Sequence, residues 1–395
     1  MYADRYFDFF AERNNIIMKQ LIHGRIVLSD RVIEDGSIVF GDKIEAINEG
    51  NETVGNAEVI DLQGATVIPG LIDLHIHGYL GADASDGEVE GVERMAVGIA
   101  KNGVTGFLPT TMTLSYADLE KAFDSIREAK EKGTVGGAEI LGVHAEGPFI
   151  NPAKCGAQPK EYAVTPDAEF VEKHADIIKV LTFAPEMDAN HAVIRRIKEK
   201  TDVVISIGHT AADYDEAMAS FEAGISHTTH LFNAMTTLNH RAPGVVGAAL
   251  TCPCVSCELI CDTFHIHPAL FSMVHKLKGN KFNLITDCMR AGGLPDGVYE
   301  LGGQTVYVNG IRCLLSDGVI AGSVLKLNEA VRNAHKYGLT LSEAVNAASL
   351  NPAMAIGVDG ERGSLTVGKR ADIVVCDGDF NIKTVYRGGS EIYAV

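Results

Sequence analysis

In VIPGLIDLHIHG, residues 67–78, an apolar run ends in two histidines that are separated by one residue. The run predicts a buried β-strand. Alternate side chains of a strand share a face, so His75 and His77 project together while Ile76 points away. Two such imidazoles either bind one metal ion or simply end a buried strand, and the pair alone does not decide between these alternatives. Further ligands would have to come from the rest of the chain.

Seven more apolar runs follow this one at intervals that suit a repeating unit. The eight runs are 66–78, 104–111, 139–148, 177–186, 203–210, 224–234, 256–267 and 282–289. Most gaps between them carry amphipathic helical patterns, for example YADLEKAFDSIREAKEK at 116–132. Parallel strands need such crossovers. Eight units over about 220 residues predict an α/β fold, a (β/α)8 TIM barrel, rather than an open doubly wound sheet. No GxGxxG pattern follows the first run, which disfavours a dinucleotide-binding fold.

The two ends of the chain differ from its middle, because residues 18–65 and 363–395 alternate apolar and polar side chains with period two. Each segment is too short to bury a face alone. We therefore expect both ends to form one small β-sandwich domain beside a barrel of residues 66–362. Residues 1–17 precede this alternation and are interpreted as an N-terminal extension or a leader.

The composition and net charge of the chain disfavour some classes of partner. The 395 residues are 46% hydrophobic and carry a formal net charge of -18. A large core is expected, whereas nucleic acid and anionic membranes, which need clustered cations, are disfavoured as partners. No signal peptide or membrane-spanning run is recognisable, so we expect a cytoplasmic enzyme.

Four of the eight cysteines lie close together in TCPCVSCELICD, residues 251–262. Their spacing is irregular and does not match the paired CxxC units of structural zinc or iron–sulfur sites. We expect reduced thiols at Cys252, Cys254, Cys257 and Cys261 rather than a metal cluster.

Most of the apolar runs end in a residue that can bind a metal or carry a proton. These residues are His75, His77, Glu146, His209, His230, His265 and Asp287. The carboxyl ends of barrel strands meet at one face, where TIM-barrel chemistry takes place. Convergence of so many ionisable groups without a partner would be costly. The pattern predicts metal-assisted hydrolysis, with Glu146, His209 and His230 as ligands of a divalent ion and Asp287 as general base and acid. Zinc, iron and manganese all accept such ligands.

The segments PGLIDLHIHG, HAEGPF, GHTAADYDEA, THLFNAM, CDTFHIHP and LITDCM occur in this order over most of the chain, and GKRADIVVCD follows near its end. Together they resemble the amidohydrolase superfamily, and within it the N-acetylglucosamine-6-phosphate deacetylases. The resemblance implies hydrolysis of N-acetylglucosamine 6-phosphate to glucosamine 6-phosphate and acetate. In that reaction a metal-activated water attacks the acetamide carbonyl, with Asp287 as general base and acid.

The same resemblance implies roles for single residues. Glu146, His209 and His230 match the principal metal ligands, while His75 and His77, which some relatives lack, imply a second ion bridged through Glu146. One or two ions per subunit are therefore expected. The implied substrate contacts are Asn233 and Ala234 for the phosphate, Arg241 reaching the phosphate from the neighbouring subunit of a homodimer, His265 for the sugar, Gln158 for the acetamide or a hydroxyl, and Leu325 for the acetyl group.

Three other functions stay open. The same site would serve a deacetylase of another acetamido sugar phosphate, such as N-acetylgalactosamine 6-phosphate. A cyclic-amide hydrolase or nucleobase deaminase of the same superfamily is a more distant alternative and has no use for a phosphate site. A catalytically inactive barrel is disfavoured because no expected ligand is missing from the sequence.

Overall fold

The computed structural model describes residues 18–395, so the interpretation of residues 1–17 lies outside the described part of the chain. The described residues form 22 β-strands and ten α-helices. The strands are β1 Lys19–Val27, β2 Val32–Phe40, β3 Ile44–Asn48, β4 Glu58–Asp61, β5 Thr66–Pro69, β6 Leu71–Ile76, β7 Gly78–Tyr79, β8 Ala82–Asp83, β9 Val104–Thr111, β10 Glu139–Ile140, β11 Val143–Glu146, β12 Ile178–Phe183, β13 Val204–Ile207, β14 His227–Thr228, β15 Ser256–Ile260, β16 Phe282–Ile285, β17 Gly297–Leu301, β18 Gln304–Asn309, β19 Arg312–Leu314, β20 Ile373–Cys376, β21 Ile382–Arg387 and β22 Ser390–Ala394. The helices are α1 Val89–Ala100, α2 Tyr116–Lys132, α3 Ala168–Lys173, α4 Ala192–Lys200, α5 Tyr214–Ala223, α6 Gly244–Thr251, α7 Ala269–Lys278, α8 Leu327–Lys336, α9 Leu341–Ala347 and α10 Leu350–Ala355.

The centre of the molecule is a barrel of parallel strands in the order β6, β9, β11, β12, β13, β14, β15 and β16. A parallel bridge between Ile76 and Cys288 joins the last strand region to the first. Each of the eight predicted runs contains one of these strands. The predicted (β/α)8 barrel is confirmed.

Helix α2 illustrates how the sequence places the crossovers. Ser115 accepts a hydrogen bond from the Asp118 amide and caps the first turn. The buried side chains Leu119, Ala122, Phe123, Ile126 and Ala129 recur at helical spacing and form one apolar face. Gly133, with φ of 68°, ends the helix in a conformation that suits glycine. The next segment can therefore turn back to the barrel.

Both ends of the chain join a separate sheet, as predicted. Its strand order is β22, β21, β20, β5, β1, β2 and β3, with β4 also paired to β1. Strand β5 pairs with β20 from the C-terminal end, and the chain enters the barrel immediately afterwards at β6. Buried Ile26, Phe40, Val67 and Ile373 contribute to the core of this sheet.

A third, three-stranded antiparallel sheet of β17, β18 and β19 follows the last barrel strand. This sheet was not predicted from the sequence. Its inner side chains Leu301, Val306 and Cys313 pack with Met112 and Met289 from the barrel side. This insertion therefore lies against the face where the strand-end residues meet.

Two other findings concern the described residues as a whole. None of the helices within residues 18–395 is both long and apolar enough to span a membrane. The possible metal-binding groups found in the same range consist of histidines and glutamates and include no cysteine.

The barrel core can be tested at Phe107, which is fully buried in β9. We expect Phe107→Ala to lower the free energy of unfolding by about 3–5 kcal/mol, because it removes apolar contacts and leaves a cavity. Denaturant unfolding followed by circular dichroism measures this difference. Tyr307→Ala in β18, where the ring is 50% exposed, is the control. Equal losses for both variants would contradict the described packing.

Candidate active site

The predicted site residues meet at the carboxyl end of the barrel strands. His75 is the second-to-last residue of β6, and Glu146 is the last residue of β11. Three further residues each lie two positions after the end of their strand, namely His209, His230 and Asp287. Their side chains are all nearly or fully buried. The structure thus brings together groups that are far apart in the sequence.

The backbone at three of these positions is left-handed. The φ angles are 47° at His209, 28° at His230 and 49° at Asp287. A residue with a side chain adopts this region at a cost of about 1–3 kcal/mol, and such residues cluster at functional sites. The sharp turn at each strand end therefore indicates that the position of the side chain matters.

Glu146, His209 and His230 form the first group of possible metal ligands. The Nε2 atoms of His209 and His230 lie 3.2 and 2.9 Å from Glu146 Oε1 and 3.1 Å from each other. His209 Nδ1 donates to the carbonyl of Lys154 at 2.8 Å, which leaves an Nε2 lone pair directed at the centre when the ring is neutral. Acceptors that face one another in this way suit a shared cation, and the donor set fits a divalent metal ion.

His75 and His77 form a second group, again with Glu146. His77 Nε2 lies 3.2 Å from Glu146 Oε2, and His75 Nε2 lies 3.4 Å from Glu146 Oε1. His77 Nδ1 donates to the carbonyl of Thr110 at 3.1 Å, so its Nε2 also faces inward as an acceptor. Glu146 therefore faces both groups: its Oε1 lies near His209, His230 and His75, and its Oε2 lies near His77.

Two carboxylates of the site stay ionised. Burial opposes the charge of Glu146, but the imidazoles of His75 and His209 hold its pKa well below the ordinary value. Burial likewise opposes the charge of Asp287, and the hydrogen bond that His77 donates when its ring is protonated lowers the pKa of Asp287. Asp287 Oδ1 lies 3.3 Å from His77 Nε2. An ionised Asp287 at the edge of the metal-binding groups can accept a proton.

A cavity of about 390 Å³ opens in front of these residues, a size typical of small-molecule sites. It contains nine of the predicted site residues, namely His77, Glu146, Gln158, His209, His230, Asn233, Ala234, His265 and Asp287. The insertion sheet contributes Leu301 to the wall.

Three cavity residues already have partners in the protein. His265 Nδ1 donates to Asp262 at 2.6 Å, which leaves Nε2 for another group. Asn233 Nδ2 donates to the carbonyls of His230 and Leu231 at 3.1 and 3.4 Å. The Gln158 amide donates to Glu146 and accepts from the Thr113 amide. Gln158 therefore contacts a possible metal ligand directly, a relation that the sequence did not reveal.

Three other predicted residues do not line this cavity. His75 is fully buried behind it, and Leu325, at 7% exposure, also lies outside its wall. Arg241 is exposed and lines a second cavity with Asn239. The two cavities share Lys154, which is the only lysine or arginine among the described residues around the first one.

Lys154 and Glu258 were not predicted from the sequence. Lys154 stands in a polar loop and carries no distinctive pattern. Glu258, however, is a single charged residue inside the buried strand SCELI, and its side chain contacts His75. A lone carboxylate in an apolar strand is costly to bury unless it is paired, and that signal was available in the sequence.

Comparison with known proteins gives consistent matches. A model of the amidohydrolase family matches residues 66–392. N-acetylglucosamine-6-phosphate deacetylase of Bacillus subtilis (strain 168) is 40% identical over 374 residues, 92% of this chain and 94% of the relative. N-acetylgalactosamine-6-phosphate deacetylase of Escherichia coli O157:H7 is 36% identical over 336 residues, 84% of this chain and 89% of the relative. The crystal structure of N-acetylglucosamine-6-phosphate deacetylase from Pasteurella multocida matches with a TM-score of 0.90 and 33% identity, covering 96% of this chain and all of that one.

Proposed function

Because this chain belongs to the amidohydrolase family, we propose that it hydrolyses N-acetylglucosamine 6-phosphate to glucosamine 6-phosphate and acetate. The observation that carries the proposal is the convergence of Glu146, His209 and His230 beside an ionised Asp287 in one cavity. The similarity to deacetylases of two amino-sugar phosphates supports the substrate class.

The proposed metal ligands are Glu146, His209 and His230, with His75 and His77 as ligands of a second ion. A divalent ion bound there would polarise the acetamide carbonyl and lower the pKa of the attacking water. In the neutral rings of His77 and His209, the Nε2 lone pairs face inward because backbone carbonyls accept the Nδ1 protons. Zinc, iron and manganese all suit these ligands, and supply in the cell would choose among them.

Asp287 is the proposed general base and acid. Its carboxylate takes the proton of the water that attacks the carbonyl carbon. It then donates this proton to the nitrogen as the C–N bond breaks, so that the sugar leaves as an amine and acetate remains. Asp287 is 8% exposed and lines the cavity, so it can reach a bound substrate there.

The remaining cavity residues are proposed to hold the sugar phosphate. The His265 ring is fixed by Asp262 and presents Nε2 for a sugar hydroxyl. Within residues 18–395 the Ala234 amide has no hydrogen-bond partner, which suits a phosphate oxygen near Asn233. Gln158 would meet the acetamide or a hydroxyl next to Glu146, and Leu325 is retained as the proposed acetyl contact.

Arg241 is proposed to bind the phosphate of the neighbouring subunit in a homodimer. Its exposure and its place in a separate cavity support a role outside its own active site. A guanidinium is well suited to a phosphate dianion. A chain with a net charge of -18 needs such a local cation.

We expect Arg241→Ala to lower kcat/KM for the phosphorylated sugar about 10–100-fold, because a hydrogen bond to a charged group contributes about 1.5–3 kcal/mol. Activity on the unphosphorylated sugar is the matched control and should not change. Coexpression of Arg241→Ala with Asp287→Asn tests the shared site. Random dimers should regain about a quarter of the wild-type activity, since one site of each mixed dimer receives both intact residues. Activity equal to the mean of the two separate variants would contradict the exchange.

A second candidate is the same reaction on N-acetylgalactosamine 6-phosphate, which the similarity to the Escherichia coli enzyme favours. The two substrates differ at one hydroxyl and would use the same metal and phosphate sites. The deciding experiment compares kcat/KM for both epimers, for unphosphorylated N-acetylglucosamine and for a cyclic amide such as dihydroorotate. A preference for the galacto epimer would replace the proposed substrate, and turnover of the cyclic amide alone would overturn the proposal.

The cytoplasmic location stays a prediction from the sequence.

A further inference from the structure

Glu258 is a charged residue at the centre of β15, in which all five residues are buried. Its side chain has no exposure. A carboxylate in such a place is tolerated only when hydrogen-bond donors surround it. The proposed reaction assigns it no role, so its surroundings need a separate explanation.

Three donors reach the Glu258 carboxylate. His75 Nδ1 and the His230 backbone amide lie 3.1 Å from Oε2, and His227 Nε2 lies 3.2 Å from Oε1. A carboxylate that three donors reach in this way acts as a hydrogen-bond acceptor.

This arrangement determines which nitrogen of His75 carries the proton. Because Glu258 only accepts, His75 must place its proton on Nδ1, and in the neutral ring Nε2 is left bare. That Nε2 lies 3.3 Å from His77 Nε2 and 3.4 Å from Glu146 Oε1. The bare nitrogen thus points at the second group of possible metal ligands.

Glu258 is not itself well placed to bind a metal with its neighbours. His144 and His75 lie close enough to form a group of three possible ligands with it. However, His144 Nδ1 donates to the Leu74 carbonyl at 2.9 Å, and it lies 3.9 Å from Glu258 Oε1. Its proton is already committed, so no lone pair of that nitrogen faces Glu258.

We propose that Glu258 is a positioning residue that holds His75 in the tautomer and orientation needed to bind a second divalent ion. Its bond to the His230 amide also supports the left-handed backbone at that residue, and so connects the two groups of ligands. The inference rests on the proposed metal centre. Carboxylates behind ligating histidines commonly act in this way, and their loss weakens metal binding about 10–100-fold.

Glu258→Gln is the test variant because it removes the charge and keeps the shape. The amide can direct its oxygen at His75 and the His230 amide and its NH2 at His227. His227 can accept that bond by moving its own proton to Nδ1, which has no partner among the described residues. The variant should therefore fold, while His75 loses its charge-assisted bond.

The measurement is equilibrium dialysis of metal-free protein against buffered Zn²⁺, with zinc counted per chain. Wild type should bind two ions, and Glu258→Gln should bind the weaker ion about 10–100-fold less tightly. His227→Gln is the matched control and should keep wild-type affinity, since the side chain of His227 has its one hydrogen bond within residues 18–395 with the same carboxylate. Thermal unfolding of the metal-free proteins checks the fold. If Glu258→Gln does not fold, Glu258→Asp replaces it, because retracting the carboxylate should break the same contact.

A double-mutant cycle shows whether the effect acts through His75. In a His75→Asn background, Glu258→Gln should leave the affinity of the remaining ion within about 2-fold, because the shared contact is already lost. A further loss in that background, or wild-type zinc binding by the single variant, would overturn the inference. Binding of one ion by wild type would also overturn it. Acetate release by wild type, measured in parallel, would show in each case whether the proposed function itself stands.

Discussion

Asp287→Asn should lower kcat about 10²–10⁴-fold, the range that a general base contributes, while the bound metal stays at its wild-type count. The amide has nearly the shape of the carboxylate but cannot take the proton of the attacking water. Because Asp287 is also proposed to return that proton to the leaving amine, both halves of the reaction should be slowed. Acetate release and metal content of the same preparation measure the two effects.

The control for this substitution is Asp262→Asn. The carboxylate of Asp262 is hydrogen-bonded to His265, which lines the cavity. The control variant should raise KM more than it lowers kcat, because His265 is proposed to bind the sugar. A rate near wild type for Asp287→Asn would show that another group moves the proton. Loss of metal in that variant would show that Asp287 is needed as a ligand.

Glu146→Gln should have the other large effect, because Glu146 faces both groups of possible metal ligands. Loss of a residue that is hydrogen-bonded to a metal ligand typically weakens metal binding about 10–100-fold. Removal of a ligand itself should cost more, so we expect metal affinity to fall by more than about 100-fold. The several kcal/mol that a metal contributes to such hydrolysis would then be lost, and kcat/KM should fall by about 10³-fold or more.

Glu120→Gln serves as the control for Glu146→Gln, since its partly exposed carboxylate forms an ion pair with Lys173 and does not line the cavity. It should keep both metal and activity. Full metal content in Glu146→Gln would contradict the ligand assignment, whatever its activity.

Much of the architecture follows from local patterns. Alternation with period two at both chain ends indicates which face of the separate sheet is buried. The regular spacing of eight apolar runs in the same way indicates the buried strands of the barrel. The strand-end residues were predicted for the same reason, because strand direction alone brings Glu146, His209 and Asp287 to one face of a barrel. His75 and His77 could be placed on one face of the strand predicted within residues 66–78, but they could not be assigned a metal from spacing alone.

Other features depend on contacts between distant segments and could not be predicted in this way. Gln158 stands in a polar loop, and only the folded chain shows that its amide contacts Glu146. The sheet of β17 to β19 alternates like any short hairpin, and its place against the barrel mouth depends on the packing of Leu301 with Met112. Glu258 was recognisable as an anomaly in β15, but its partners come from two other parts of the chain, His75 in β6 and the segment from His227 to His230.

The most direct test of the central claim is acetate release from N-acetylglucosamine 6-phosphate by one preparation, first stripped of metal and then reloaded with a counted amount of zinc, iron or manganese. The stripped protein should release no acetate above background, and the rate of release should recover in proportion to the metal bound. Release from the unphosphorylated sugar should be much slower. Full activity without metal, or metal binding with no release from either epimer of the phosphorylated sugar, would contradict the central claim.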